Sequence, residues 1–308
     1  MRIIVLGAGA IGSLYGAKLA PANDVTLIAR PKHVAAIESH GLKVDGIDSN
    51  IIRVRAATSI EQIETDTLIL LTTKVPATSS ALTPLVRSIR DDTTVLCLQN
   101  GLGGEKIARD VLGPRGVVLR GITQFGAIFV RPGEIRYMAA GYTVIEQHPR
   151  SEAIAKAFTA AGLSCRISPN IARDVWHKLV INCVVNPITT IVGRDVGAIA
   201  DRQLEPLKRL VIDECLAVAA TEGLTFAGDF NQQINERFAP SHNIVSMQQD
   251  QLRGRPTEID YLNGAIVALG AARGIDCPVN RALTSIIKTM EARSHSLFPQ
   301  EVLEPQLA

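Results

Sequence analysis

The 308-residue chain carries no excess of charge of either sign: 32 Lys and Arg stand against 30 Asp and Glu, with the basic residues scattered among acidic ones. A nucleic-acid surface needs a basic stripe and stacking rings, and aromatics are only 4 % of the residues, so no nucleic acid is expected as a partner. The five cysteines, Cys97, Cys165, Cys183, Cys215 and Cys277, are odd in number, far apart and mostly set in apolar runs. They read as buried free thiols in a reducing compartment rather than as a disulfide framework. No Cys or His pair has the short spacing of a zinc site, and neither HExxH nor GxSxG occurs, which removes metal and serine-hydrolase chemistry from the expectation. The longest uncharged stretches, residues 3–17 and 179–193, fall short of the roughly 20 apolar residues of a membrane helix. The first is broken by glycines, the second by two Asn and a Pro. Neither a membrane span nor a signal peptide is expected, and a cytoplasmic location follows from that reading.

What is present is the composition of a folded protein, 46 % hydrophobic and 20 % charged, long enough for two cores. Residues 1–168 alternate β-rich runs (RIIVLGAG, DVTLIAR, TLILLTT, TTVLCLQN, GVVLRGITQF) with helical patterns, the rhythm of a parallel sheet built from βαβ units. AIFVRP, EIRYMA and YTVIEQ read as an antiparallel extension of that sheet, and a helix is expected around 151–161. From about Pro169 the strand signal ends. Helical patterns over 172–192, 203–222, 258–272 and 279–291 predict an all-helical second domain, residues 169–308, with turns at Gly223, Gly228 and Pro240 and a frayed last ten residues.

Gly7-Ala8-Gly9-Ala10-Ile11-Gly12 follows the first strand and opens an amphipathic helix. Gly7 permits the tight turn, Gly9 lets backbone approach a pyrophosphate, and Gly12 lets the helix pack on its strand, so the run is read as a dinucleotide-binding turn. After the second strand, where an NAD enzyme places a carboxylate, the chain has Arg30, then Lys32 and His33. A guanidinium suits a 2′-phosphate, which favours NADP(H) over a merely solvated basic loop. Thr72-Thr73-Lys74 and Gln99-Asn100-Gly101 fall at the ends of later strands. Lys74 is placed either to meet the nucleotide or to sit as a solvated charge; Asn100 either faces the nicotinamide side or is half of a common turn dipeptide.

In WHKLVINCVVNP, Lys178, Asn182 and Asn186 recur every four residues and line one helix face among apolar neighbours. Such a stripe is either a site or an internal hydrogen-bond network, and Pro187 is expected to kink or end the helix. His177 lies off the stripe and reads as a surface or core histidine. Glu258, in RPTEIDYLN, is a second candidate; Thr257 with Asp260 also resembles a capping box, which would make Glu258 a first-turn acid. Asn243 and Ser246 lie three apart and read either as cleft residues or as a helix start.

Taken together, the N-terminal GxGxxG, the QNG loop, the K-x3-N-x3-N-P run, the N-x-x-S-M segment and TEIDYLNG resemble the ketopantoate reductase family, in family order over residues 1–293. The resemblance implies an α/β Rossmann-type parallel-sheet domain followed by an all-α C-terminal domain, acting on a small 2-keto acid with NADP(H). It implies Lys178 as general acid and Glu258 as the residue that binds substrate and supports the lysine. Asn100, Asn182, Asn186, Asn243 and Ser246 would contact substrate or the nicotinamide end, and Arg30 and Lys74 the nucleotide. A homodimer is compatible with it. One departure stands out: family members often carry a further Asn-Gly after the Asn-Pro, and here Val196 precedes Gly197. That change bears on which keto acid is used. Reduction of another branched or hydroxylated 2-keto acid is therefore an alternative. A non-catalytic NADP(H) sensor is another, though a sensor has no need of Lys178 and Glu258.

Overall fold

Strands form where Ile, Val and Leu run without a break, and in the computed structural model, which describes residues 1–297, they are β1 (Arg2–Leu6), β2 (Asp24–Ile28), β3 (Leu42–Gly46), β4 (Asn50–Ile52), β5 (Arg55–Ala57), β6 (Thr67–Leu71), β7 (Thr94–Cys97), β8 (Val117–Thr123), β9 (Gly126–Arg131), β10 (Glu134–Ala139), β11 (Thr143–Glu146) and β12 (Cys165–Ser168). The helices among them are α1 (Ala10–Leu19), α2 (Pro31–His40), α3 (Thr78–Leu82), α4 (Gly104–Leu112) and α5 (Ser151–Ala160). The main sheet has eight strands in the order β12-β11-β8-β7-β6-β1-β2-β5, with β5, β2, β1, β6, β7 and β8 mutually parallel. β6 and β7 are buried along their whole length, as strands covered on both faces must be. Separate apolar clusters line the two faces, one with Leu14, Leu27 and Phe158, the other with Ile69, Leu82 and Leu112.

The expected antiparallel extension is divided. β11 joins the main sheet antiparallel to β8, whereas β9 and β10 form a hairpin in a separate four-stranded sheet with β3 and β4. Alternation within LKVDG and NII is too short to announce β3 and β4, and β5 and β12 are edge strands of three and four residues. Of the five cysteines expected to be buried free thiols, Cys97, Cys183, Cys215 and Cys277 are so, while Cys165, on the edge strand β12, is free but only half-buried. Burial pushes the Cys97 thiol up to about 12 and that of Cys277 to about 11.

The chain divides into two compact units between Asp174 and Val175. In the second, α6 (Ile171–Val192) is followed by α7 (Glu205–Thr221), α8 (Phe230–Phe238), α9 (Ser246–Leu252), α10 (Asn263–Ala272) and α11 (Pro278–Leu297), with no strand among the described residues. α6 continues through Pro187 to Val192, as the pattern over 172–192 predicts, so of the two expectations for the proline, a kink or an end, the end does not occur. It is also long and apolar enough to cross a bilayer, with a mean hydropathy of 1.3, but 72 % of that window is buried in the protein, which is the state of a core helix. The expected helix over 258–272 begins later: a 3-10 turn at Ile259–Tyr261 precedes α10, so Glu258 lies ahead of the turn. The capping box does not form. Thr257 Oγ1 accepts from Ile259 N at 3.2 Å, and the Asp260 carboxylate meets Lys288 Nζ at 2.9 and 3.0 Å. The last ten residues, expected to fray, lie outside the described residues.

Candidate active site

The carboxyl ends of the adjacent parallel strands β7, β6, β1 and β2 bring Asn100, Lys74, the Gly7–Gly12 turn and Arg30 to one edge of the first unit. The turn is held from both sides. Gly7 N and Ala8 N donate to Ile28 O at 3.2 and 2.9 Å, and Thr72 Oγ1 donates to Gly7 O at 2.9 Å. Gly7 has φ +102°, and a Cβ there would lie 2.6 Å from Thr73 N. A Cβ on Gly12 would lie 2.5 Å from Thr72 Oγ1 and 2.6 Å from Gly7 O. Both glycines are therefore required by the protein itself. Gly9 is not: a Cβ there would meet only Gly7 O, at 4.0 Å, and Gly9 is exposed. It caps the N-terminus of α1, where no side chain caps the helix and no acid occupies the first turn. Open space over a bare helix N-terminus is what an anionic group with a close backbone approach needs, so the residues fit a dinucleotide.

Arg30 and Lys32 are exposed at the start of α2. His33 is not part of that basic group. It is buried, 3 % exposed, and Gly133 N donates to its Nδ1 at 2.8 Å, which leaves the proton on Nε2 to be donated to Ser13 Oγ at 3.1 Å. Ser13 Oγ in turn donates to Ala8 O at 3.3 Å. Burial lowers the His33 pKa below 6.5, and the neutral ring ties the β9–β10 hairpin turn to the glycine turn.

Two side chains that the sequence reading passed over hold the remaining loops. Gln99 Nε2 donates to Thr73 O at 2.9 Å and to Thr78 Oγ1 at 2.8 Å, joining the Lys74 loop to the Asn100 loop. Arg120, on β8 and 4 % exposed, donates to the carbonyls of Cys97, Gln99 and Gly101 at 3.3, 2.8 and 2.8 Å. The guanidinium wraps the chain on either side of Asn100. Its signal was present as a lone arginine inside the apolar run VVLRGIT.

In the second unit, Lys178 and Asn182 are half-buried and Asn186 is buried, in register along α6. His177 points elsewhere, packing on Phe226 and Phe230 with Nε2 at 3.1 Å from Gln233 Oε1. Glu258 is half-buried at the start of its 3-10 turn, and that turn and α9 both pack on α11. Ser246 is exposed at the first residue of α9, a helix start that leaves its hydroxyl open to solvent. Asn243, half-buried, accepts from Val196 N at 2.8 Å through its backbone carbonyl. The Val196 side chain goes into the core at 3 % exposure, so no polar group is offered from position 196.

A parallel sheet with a glycine turn at its carboxyl edge, followed in the chain by helices carrying a Lys-Asn-Asn face, is the build of a nicotinamide-dependent oxidoreductase. Residues 3–150 match the family described as ketopantoate reductase PanE/ApbA and residues 170–291 match its C-terminal counterpart, ketopantoate reductase PanE/ApbA C terminal. The chain belongs to the ketopantoate reductase family. It is 37 % identical to a 2-dehydropantoate 2-reductase of Pyrococcus horikoshii over 95 % of this chain and 98 % of that one. Among solved structures it resembles a PanE/ApbA family ketopantoate reductase from Ralstonia eutropha, with a TM-score of 0.87 and 32 % identity over 96 % of this chain and 100 % of that one. It also resembles a D-mandelate dehydrogenase solved with NADH and anilino(oxo)acetate, with a TM-score of 0.87 and 26 % identity over 96 % of this chain and 100 % of that one.

Proposed function

We propose that this chain reduces 2-dehydropantoate (ketopantoate) to (R)-pantoate with NADPH, the step that serves pantothenate and coenzyme A synthesis. The observation that carries the reading is the Lys178–Asn182–Asn186 face of α6, three polar side chains in register on a helix that is otherwise mostly buried. Residues 1–168 bind the nucleotide and residues 169–308 handle the keto acid. Gly7, Ala8, Gly9, Ala10, Ile11 and Gly12 present the turn and helix N-terminus to the pyrophosphate, with Arg30 at the 2′-phosphate and Lys74 and Asn100 along the rest of the nucleotide. Bound NADPH supplies the hydride.

Reduction of a ketone leaves negative charge on its oxygen. The Lys178 ammonium stabilises that charge and gives up a proton to it, acting as general acid. Asn182 and Asn186 donate to the ketone and neighbouring oxygens, Asn243 and Ser246 hold the carboxylate, and Glu258 accepts from the substrate hydroxyl while supporting the lysine. The hydroxyl is the discriminating group, because an unsubstituted keto acid cannot donate to the Glu258 carboxylate, and a hydrogen bond to a charged group contributes about 1.5–3 kcal/mol.

A second reading, reduction of another branched 2-keto acid, is favoured by Val196 and by the likeness to the D-mandelate dehydrogenase. Steady-state kinetics with ketopantoate beside 2-ketoisovalerate separates the two. Ketopantoate is expected to be favoured by roughly tenfold or more in kcat/KM, and equal constants would exclude the first reading. Lys178→Ala is expected to lower turnover by about a hundredfold or more with NADPH still bound, and near-normal turnover at saturating substrate would exclude the proposed acid.

A further inference from the structure

A proline inside a helix removes one amide, and the carbonyl four residues earlier loses its partner. In α6 the proline is Pro187 and the carbonyl is that of Cys183, a residue with 0 % exposure. Water does not reach this place, so the carbonyl needs a partner from another helix. Asn263, the first residue of α10, provides it: Nδ2 donates to Cys183 O at 2.9 Å.

The orientation of that amide is set by a chain of bonds. On α7 the Glu214 carboxylate accepts from Val279 N at 2.8 Å, Asn280 N at 2.9 Å and Asn280 Nδ2 at 2.7 Å. Asn280 has thereby committed its donor end and presents Oδ1 to Asn263 Nδ2 at 2.9 Å. Both partners of Asn263 are acceptors, and only a side chain with two donors on one atom satisfies them. Asn263 and Asn280 are 0 % exposed. Among the described residues Asn263 Oδ1 has no hydrogen-bond partner, so what the site uses is the donor end.

The position of the repaired bond matters. Cys183 lies between Asn182 and Asn186, on the turn that the proline weakens, with Lys178 one turn earlier. Asn263 begins the helix that follows Glu258 across a single 3-10 turn. We propose that Asn263 is a positioning residue: it replaces the bond that Pro187 removes and holds the Lys178–Asn182–Asn186 face in register with the segment carrying Glu258. This rests on the functional reading of that face given above.

The test is a cycle on the full chain: wild type, Asn263→Leu, Pro187→Ala, and the double variant, in which the backbone N–H restored at position 187 is free to close the helix onto Cys183 O. For each, the dissociation constant of NADPH is read by fluorescence and kcat and KM with ketopantoate by absorbance. Asn263→Leu is expected to leave the NADPH constant within about twofold and to lower kcat/KM about tenfold or more, since small displacements of binding groups have effects of that size. Pro187→Ala added to it should recover about threefold or more of that loss, a coupling that residues not sharing a partner do not show. Asn263→Asp, equal in size but with acceptors where donors are needed, should lose more at alkaline than at acid pH. Unchanged kcat/KM in Asn263→Leu, or no recovery in the folded double variant, overturns the proposal. Should Asn263→Leu not fold, the same ratio is read with Asn263→Ser. If the wild type itself reduces no 2-keto acid, the functional reading has failed instead. Asn263 is then judged by urea midpoints, where Asn263→Leu must lower the midpoint less in the Pro187→Ala background than alone.

Discussion

Adding one methyl group at Gly9 and at Gly12 should have opposite consequences. A Cβ on Gly12 would stand 2.5 Å from Thr72 Oγ1 and 2.6 Å from Gly7 O. One of these is backbone and the other is held by its own bond to Gly7 O, so relief requires α1 to move off β1. Overpacking of this kind costs about 1–3 kcal/mol. At Gly9 the nearest atom is 4.0 Å away and the backbone, at φ −80° and ψ −153°, is open to alanine. There the gain from a stiffer unfolded chain and the loss of glycine at an N-cap are each under about 1 kcal/mol and oppose one another. Gly9→Ala should therefore melt within about 3 °C of wild type, and Gly12→Ala well below it. On the proposed placement of the phosphates, NADPH binding should reverse the contrast, because the Gly9 methyl would occupy the surface over which a pyrophosphate meets the helix N-terminus. A tenfold or greater rise in dissociation constant, about 1.4 kcal/mol, is expected for Gly9→Ala with the fold intact. Differential scanning calorimetry and fluorescence titration on the same samples decide it. A Gly9→Ala protein that binds NADPH as wild type does would refute the placement of the phosphates.

Arg30→Ala should raise the Michaelis constant for NADPH and leave that for NADH nearly unchanged, and equal use of both cofactors by the wild type would remove the basis for it. His33 makes stability depend on pH with a defined sign. Its folded pKa is lowered from 6.5, so the unfolded chain binds the extra proton first; the ring's contribution is complete above pH 6.5 and is lost as the pH falls below it. Urea unfolding between about pH 8 and pH 5 should show the wild type losing stability on acidification more steeply than His33→Phe, and parallel curves would count against the neutral His33 bridge.

The parallel core strands were legible in the sequence because β1, β6 and β7 are apolar on both faces, a pattern that three-residue edge strands such as β4 and β5 are too short to show. β9 and β10 were legible as strands but not as members of a second sheet, since the pairing of β10 with β3 depends on contacts about 90 residues apart in sequence, such as Glu134 with Lys43. The α6 face was legible from the spacing of Lys178, Asn182 and Asn186. How that helix accommodates Pro187 was not, because the side chain that compensates the proline comes from Asn263, in another helix. His33 misled in the same way: beside Arg30 and Lys32 it reads as basic, and only the hairpin at Gly133 shows that it is buried and an acceptor.

The two units use opposite means to prepare their groups. In the first, the proposed binding surface is largely backbone, and side chains act from behind it: Thr72 holds Gly7, Gln99 joins two loops, and Arg120 grips the carbonyls on either side of Asn100. Such a surface is injured by added atoms, as at Gly9 and Gly12, because a backbone amide has no rotamer with which to yield. In the second, the proposed Lys178, Asn182 and Asn186 groups are side chains on one helix, and what must be secured for them is the helix itself at its weakest turn. Such a surface is injured by removed donors, as at Asn263. Changes of substrate preference are accordingly expected to be easier to reach in the second unit, where exchanging a side chain on an intact helix leaves the supporting bonds in place.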